Sequence, residues 1–525
     1  MITLILKECQ FIVDKQKLID KSQYFATLLS KNYIDYRKRK HTILYDIPIM
    51  LMEMFLDWIH YDYLPAREQE NITSNPEELN NLFDLLEISV LFAADKLIED
   101  ITDIFEQRYM KPEYLLDIWL YAAELGIQIL RDLFFSASLD RFVELSLDSL
   151  RKLQKKDFLK LICNINLRCS DRYLNEIIND WVQINLDDTI YDERKFLSGN
   201  KEKPTLQAII MSNNSDINSD FFIYCWDGKE FFKFTSFKYP KDIIKYCNYT
   251  QSTLKGERIV ARGYDLYLLG GQYIHNRRYN KNIWRYSLIS KKWYLQTVMP
   301  IGRRDMVAAF VQNKLIIIAG IGKDRKKVNR IDIYDVHADT WIEDKFSHIW
   351  KTDTKHFAVN GNLYIFDKND TDSYISIYSS ELGYWQYLNF SEICPFSLFI
   401  YKFDIPKKAP ILTFDNARCH LDCSHIDFKY VPMDDMNSLY KSSHEHESRL
   451  HMPYAIKLFK IPNNGEYIKE TINLPIIACC KRQFDSCNSI DYSNLHLHCI
   501  PCNLPSLHCR SKFINLMDLK HLHHY

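Results

Sequence analysis

The stretch YDLYLLGGQYIHNRRYNKNIWRYSLISKKW (residues 264–293) decides the fold, because its pattern comes back twice further along the chain. Its parts are the apolar run Tyr264–Leu269, the step Gly270–Gly271, the run Ile283–Trp284–Arg285–Tyr286, and Trp293. The second copy has Lys314–Ile318, Ala319–Gly320, Arg330–Tyr334 and Trp341, and the third has Asn362–Phe366, Tyr374–Tyr378 and Trp385. In every copy the tyrosine stands seven residues before the tryptophan, and successive tryptophans are 48 and 44 residues apart. One shared internal offset at a period of roughly 50 residues marks a repeat.

Each copy is a set of short β-rich runs separated by polar turns, which predicts a four-stranded antiparallel sheet. One such sheet cannot bury both faces, so it must stack on its neighbours, and radial stacking makes a propeller. The Tyr–Trp pair predicts large rings filling the wedge between sheets. Gly270–Gly271 predicts a tight turn, since glycine tolerates positive φ. Double glycine, tyrosine and spaced tryptophan together resemble the kelch repeat; Ala319 replaces one glycine in the second copy, and Phe366–Asp367 stands there in the third. The resemblance implies an all-β propeller over residues 221–490 with about six blades. Phe221–Tyr224 and Glu230–Phe234 read as a worn first blade. Ser397–Phe403, Ile411–Phe414 and Ile426–Val431 are expected to form a fifth, and Ala455–Ile461 with Tyr467–Leu474 a sixth.

With 525 residues the chain has room for roughly three or four domains. A net charge of −1 gives no global field for nucleic acid or anionic lipid. No apolar run approaches the roughly 18–20 residues of a membrane span, and Met1–Leu6 is too short for a signal-peptide core. The fourteen cysteines are scattered through apolar-periodic segments, which predicts reduced thiols in the cytoplasm or nucleus.

Residues 1–108 read as mixed α/β. Thr3–Leu6, Gln10–Val13 and Ile43–Tyr45 predict strands, and helical patterns carry Leu18–Leu29, Pro48–Ile59, Leu79–Leu91 and Leu97–Phe105. Phe11, Lys15, Leu18, Ser22, Tyr24 and Phe25, the run Phe55–Ile59, and Leu85–Leu86 resemble a BTB domain. Asp14 stands where that family usually has histidine, and His60–Tyr61–Asp62 replaces its Tyr-Thr-Gly. The resemblance implies a homodimer through this domain, although no helix precedes Thr3 of the kind that family dimers exchange. Residues 109–200 read as all-α after the break at Pro112, with helices at Tyr114–Ala123, Leu130–Phe142, Ser149–Gln154, Asp157–Cys163 and Asp171–Val182. The run Leu145–Leu150, then Asp171, Glu176 and Trp181, resembles the BACK domain. Residues 201–220 read as a linker and residues 491–525 as a Cys/His-rich tail.

The chemistry of catalysis is missing from the sequence: it has no glycine-rich phosphate cradle, no His-Glu-x-x-His and no Gly-x-Ser-x-Gly. No enzyme activity and no cofactor are expected. Cys499 and Cys502 with His508 have zinc-ligand types, but a second pair at finger spacing is absent, so no metal site is expected. Arg37–Lys40 and Lys323–Lys327 read as solvated loops. Arg277–Arg278 and Arg303–Arg304–Asp305 sit in inter-strand loops, where paired arginines would hold an acidic peptide through bidentate contacts.

The order BTB, BACK, kelch resembles the kelch-like family, whose members are substrate adaptors of cullin-RING ubiquitin ligases. The resemblance implies a cullin face on Lys31, Tyr33, Tyr36, Tyr114, Ile118 and Tyr121, and a target protein on the propeller loops. The hydrophobic-x-Glu step of the family's cullin contact is not found after the Tyr24–Leu29 helix. An actin-binding or scaffolding kelch protein is the alternative reading.

Overall fold

The computed structural model describes residues 1–33, 37–65, 76–164, 167–187, 189–192, 205–213, 217–218, 220–226, 231–344, 355–359, 362–368, 373–379 and 385–390, and seven short later strands. The chain divides into two compact units, residues 1–199 and 200–525. Among the described residues no helix is long and apolar enough to cross a membrane.

In the first unit β1 (Ile2–Leu6) and β2 (Cys9–Val13) form a hairpin, and β3 (Lys40–Ile43) lies parallel to β1 on its other side. The strand expected at Ile43–Tyr45 is shifted back: pairing with β1 ends at Ile43, and Leu44 is 91% exposed. Helices α1 (Lys15–Lys21) and α2 (Gln23–Leu28) follow the hairpin. Asp14 caps α1, its carboxylate accepting from the amides of Gln16 and Lys17, and Ser22 caps α2 through Phe25 N. The Asp14 amide donates to His60 Nε2 at 3.1 Å, which ties the start of α1 to the end of the later helix that carries His60.

The helices α3 (Ile49–Tyr61), α4 (Pro76–Leu91) and α5 (Asp95–Arg108) surround a core of Phe25, Phe55, Trp58, Leu85, Leu86, Phe92 and Phe105. Trp58 Nε1 donates to the buried Asp100 carboxylate at 3.0 Å. Next come α6 (Pro112–Glu124), α7 (Gln128–Asp140), α8 (Leu147–Arg151), α9 (Lys155–Ile162) and α10 (Asp171–Asn185). Ring contacts of Phe83 with Tyr121 and of Phe105 with Phe134 run across the expected boundary at residue 108, so the helical part shares its core with the α/β part.

Asp132 on α7 is buried, and burial pushes its carboxyl up to about 6 despite the adjacent Arg131 guanidinium. A raised carboxyl disfavours the charged folded state, so its cost grows as pH rises from about 4 to about 6 and is constant above. The Asp132→Asn variant is therefore expected to be more stable than the parent at pH 7.5 by about 1–2 kcal/mol. That gap should close as the pH falls to 4, which urea unfolding at a series of pH values reads directly.

In the second unit β4 (Thr205–Asn213), β5 (Phe221–Trp226) and β6 (Phe231–Phe237) form one antiparallel sheet, and α11 (Lys241–Thr250) follows it. The residues 201–220 read as a linker thus hold a full strand: the Leu206–Met211 segment is mostly apolar, and its polar flanks had suggested a connection. The other edge of β4 pairs with Leu495–His498 and with Leu504–Pro505, so part of the expected tail is also strand.

Three four-stranded meanders come next. The first is β7 (Leu254–Arg262), β8 (Asp265–Tyr273), β9 (Asn282–Ser287) and β10 (Trp293–Val298). The second is β11 (Val307–Val311), β12 (Lys314–Ile318), β13 (Ile331–Asp335) and β14 (Thr340–Asp344). The third is β15 (Lys355–Val359), β16 (Asn362–Lys368), β17 (Ser373–Ser379) and β18 (Trp385–Phe390). Later strands form a three-stranded sheet of Ile411–Thr413, Ala455–Lys460 and Ile468–Asn473, and a pair of Cys419–Asp422 with Asp427–Tyr430, so Ile411–Thr413 joins the strands expected for the sixth copy and not Asp427–Tyr430 of the fifth.

Each repeated tyrosine sits directly opposite its tryptophan, across β9–β10, β13–β14 and β17–β18. Their ring centroids are 5.1, 5.1 and 5.2 Å apart. Every pair reaches the sheet before it in the chain. Tyr286 stacks on Phe237 at 5.0 Å, and Trp293 Nε1 donates to Lys238 O at 2.8 Å. Trp341 Nε1 donates to Thr297 Oγ1 at 3.1 Å, and Gln296 donates to the Tyr334 hydroxyl at 3.0 Å. Tyr378 and Trp385 close on the second sheet.

Strand β12 shows why the repeat needs two neighbours. Leu315 and Ile317 pack toward the first sheet with Val260, Tyr267 and Leu269, whereas Ile316 and Ile318 pack toward the third with Leu363 and Ile365. All four are fully buried, as period-two alternation with apolar residues on both faces requires. In the third repeat, which lacks the glycine step, β16 simply keeps pairing with β17 through Phe366, Asp367 and Lys368.

Candidate functional site

Hairpin connections of a meander alternate between the two ends of the sheet. The β8–β9, β10–β11 and β12–β13 connections therefore share one end, and they carry every propeller-loop residue picked out from the sequence.

The β10–β11 connection is the centre of this end. Gly270 (φ 68°), Gly271 (φ 92°) and Gly320 (φ 101°) adopt left-handed backbone, as does Ala319 (φ 54°). A Cβ on Gly270 would fall 2.7 Å from Arg303 O, and one on Gly320 would fall 2.8 Å from Arg304 O. The glycine steps thus let the turn at Arg303–Arg304 press against both sheets. Gly271 N donates to Arg303 O at 3.0 Å, and Arg304 and Ile321 exchange backbone hydrogen bonds at 3.0 and 2.8 Å.

Arg303 differs from the expectation that it faces an incoming peptide. It is 0% exposed. Its guanidinium pairs with the buried Asp332 carboxylate and donates to Ala319 O at 3.2 Å and Ile301 O at 3.3 Å. Arg330 holds the second Asp332 oxygen and reaches Glu343 at 3.2 Å. Burial first, and the Arg330 charge second, push Arg303 down to about 10. The first arginine of the pair is a structural cation, because a kinked turn between two sheets leaves carbonyls that need an internal donor.

The remaining loop residues lie nearer the surface. Arg304 is partly exposed, with Nε 3.5 Å from the Asp305 carboxylate, and Asp305 N donates to Gly256 O at 2.8 Å. Arg277 and Arg278 are exposed on the β8–β9 turn. That turn is tied down by Tyr273 N to Arg278 O at 2.8 Å and Gln272 Nε2 to Arg277 O at 3.1 Å. The Tyr279 hydroxyl donates to Gly322 O at 2.6 Å and so joins this turn to the β12–β13 connection. Burial raises the Tyr279 hydroxyl, while the nearby Arg304 and Arg325 charges pull it down and Asp324 pushes it up.

This contact brings in residues that the sequence reading set aside as a solvated loop, Lys323–Lys327. A signal was there: Arg277 follows Gly271 by six residues, and Lys326 follows Gly320 by six. The repeat itself puts both basic turns at one place.

On the first unit, Lys31 and Tyr33 are exposed and Tyr36 lies outside the described residues. Tyr114 is half-buried with its ring 5.4 Å from Tyr109. Tyr121 donates to Phe83 O at 3.3 Å, and burial with the Glu87 charge pushes its hydroxyl up to about 12. Ile118 is fully buried, which corrects its place on a cullin face: with Leu115, Trp119 and Ala122 it forms the inward stripe of α6, and Asp117 points outward. Cys499, Cys502 and His508 lie outside the described residues.

A comparison with protein-family models finds none that matches the chain, and a comparison with curated proteins finds no match either.

Proposed function

We propose that this chain is a non-catalytic substrate adaptor of a cullin-RING ubiquitin ligase, acting in the cytoplasm. Its first unit is read as BTB and BACK domains that hold the cullin, and its second as a six-bladed kelch propeller that holds a target protein. The observation that carries this reading is the Tyr–Trp rung, found at the same register in three successive sheets and packed each time on the sheet before. The pairing of Leu495–His498 with β4 supports a ring, since it brings late chain back to the first β-sheet of the unit. Exposed Lys31 and Tyr33 are the cullin-facing residues in this reading.

The mechanism is proximity. Holding an acceptor lysine near a charged conjugating enzyme raises its effective concentration, and the adaptor supplies no reacting group. Purified cullin should be retained by the intact chain, and the Lys31→Glu/Tyr33→Ala double variant should weaken retention by about tenfold or more. No retention by the intact chain ends the ligase reading. Co-sedimentation with filamentous actin in its place would make the chain a cytoskeletal scaffold.

A further inference from the structure

The turn after the glycine step is basic in both of the first two repeats. Arg277 and Arg278 on one turn, and Lys323, Arg325, Lys326 and Lys327 on the other, are exposed, with Asp324 the acid among them. The whole chain balances 67 lysines and arginines against 68 acids, so this excess is local. Among the described residues none of these six side chains forms an ion pair. Six cations against the one acid Asp324 leave an excess of like charge that repels, and an anionic partner relieves that repulsion.

The Tyr279–Gly322 bond joins the two turns, and each turn is tied within itself. In the second, Gly322 N donates to Lys326 O at 2.8 Å and Val328 N donates to Gly320 O at 2.9 Å. Isolated β-bridges join Gln272 with Tyr279 and Ile321 with Lys327. Cations on tied turns lose less freedom on binding than cations on a loose loop.

We infer that the β8–β9 and β12–β13 turns form one docking ledge for a glutamate- and aspartate-rich segment of the target protein. The inference rests on the adaptor reading and gives the chemical class of its target. The arginines at 277, 278 and 325 provide forks for carboxylates, and the lysines provide the field that steers an acidic segment in. Nucleic acid fits less well: the chain has no net positive field, and Tyr279, the tyrosine of these turns, is half-buried with its hydroxyl engaged.

The test is fluorescence anisotropy of the full chain with a labelled twelve-residue Glu/Asp peptide, in the absence of cullin. Binding is expected, weakening as salt rises. Arg277→Glu/Arg278→Glu/Lys326→Glu/Lys327→Glu should raise Kd by about tenfold or more, and Lys323→Gln/Lys326→Gln/Lys327→Gln by about threefold. Lys291→Glu, in the β9–β10 turn at the other end of the sheet, should leave Kd unchanged. Thermal unfolding of the variants should match the parent, since all the changed side chains are exposed. No binding by the parent, equal binding by the reversed variant, or stronger binding of an oligonucleotide of the same charge overturns the inference. Cullin retention measured on the same reversed variant separates the two ideas: retention kept while peptide binding is lost isolates the ledge.

Discussion

Replacing Asp332 by asparagine is expected to destabilise the β-rich unit by about 3–5 kcal/mol, because it leaves the Arg303 guanidinium buried without a counter-charge. Both side chains are essentially sealed from solvent, so water cannot take over the lost charge. Removing the arginine is less harmful. In Arg303→Met the Asp332 carboxylate keeps Arg330, whose own side chain is 23% exposed and also reaches Glu343. The expected loss there is about 2 kcal/mol, mostly the donors withdrawn from the carbonyls of Ile301 and Ala319. Arg303→Met/Asp332→Leu should recover part of the loss relative to Asp332→Asn, since it removes both buried charges together. Urea unfolding, with hydrogen exchange at Ile316–Ile318 as the local probe, orders the three variants. If Asp332→Asn proves no worse than Arg303→Met, the asymmetry argued from Arg330 is wrong.

Tyr334→Ala is expected to cost about 3–5 kcal/mol through the cavity it leaves. Tyr334 is fully buried between the first and second meanders, packed with Tyr267, Leu269, Leu315 and Ile317. Its hydroxyl donates to Asp339 at 2.6 Å and accepts from Gln296 at 3.0 Å. Tyr334→Phe keeps the ring and loses only these bonds, so about 1 kcal/mol is expected. Trp341→Ala should fall between the two, because that ring is partly exposed and anchors the preceding sheet by one hydrogen bond to Thr297. Hydrogen exchange should show Tyr334→Ala loosening β8 as well as β12, since the ring belongs to both sheets. Loosening confined to β13 and β14 would mean the rung does not couple neighbouring sheets.

The adaptor reading gains or loses from these results unequally. A rung that couples sheets supports stacking of repeats, while partner choice depends on loop charges that neither variant touches. The acidic-peptide and cullin experiments therefore carry the functional question alone.

Much of the architecture was legible in residue order. Tyrosine and tryptophan seven apart have to meet across a hairpin when the strands are short and the turn is tight, and the three pairs do. The helices of the first unit followed from their apolar spacing, as after Pro48, but the one helix expected over Leu18–Leu29 is broken at Ser22, whose hydroxyl caps the second half. Polar flanks misled at residues 201–220, where a strand is made by the neighbours it pairs with.

What the residue order determined by itself was the repeat, its period and the aromatic rung, because local spacing alone brings those groups together. Which charged groups face solvent was decided only by tertiary structure. Arg303 and Arg304 are adjacent and chemically alike, yet one is sealed against Asp332 and the other reaches the surface. Arg277 and Lys326 lie far apart in the chain, yet their turns are joined through Tyr279. Burial and proximity depend on how separate sheets pack, and packing is a property of distant segments together, which no single window of sequence contains.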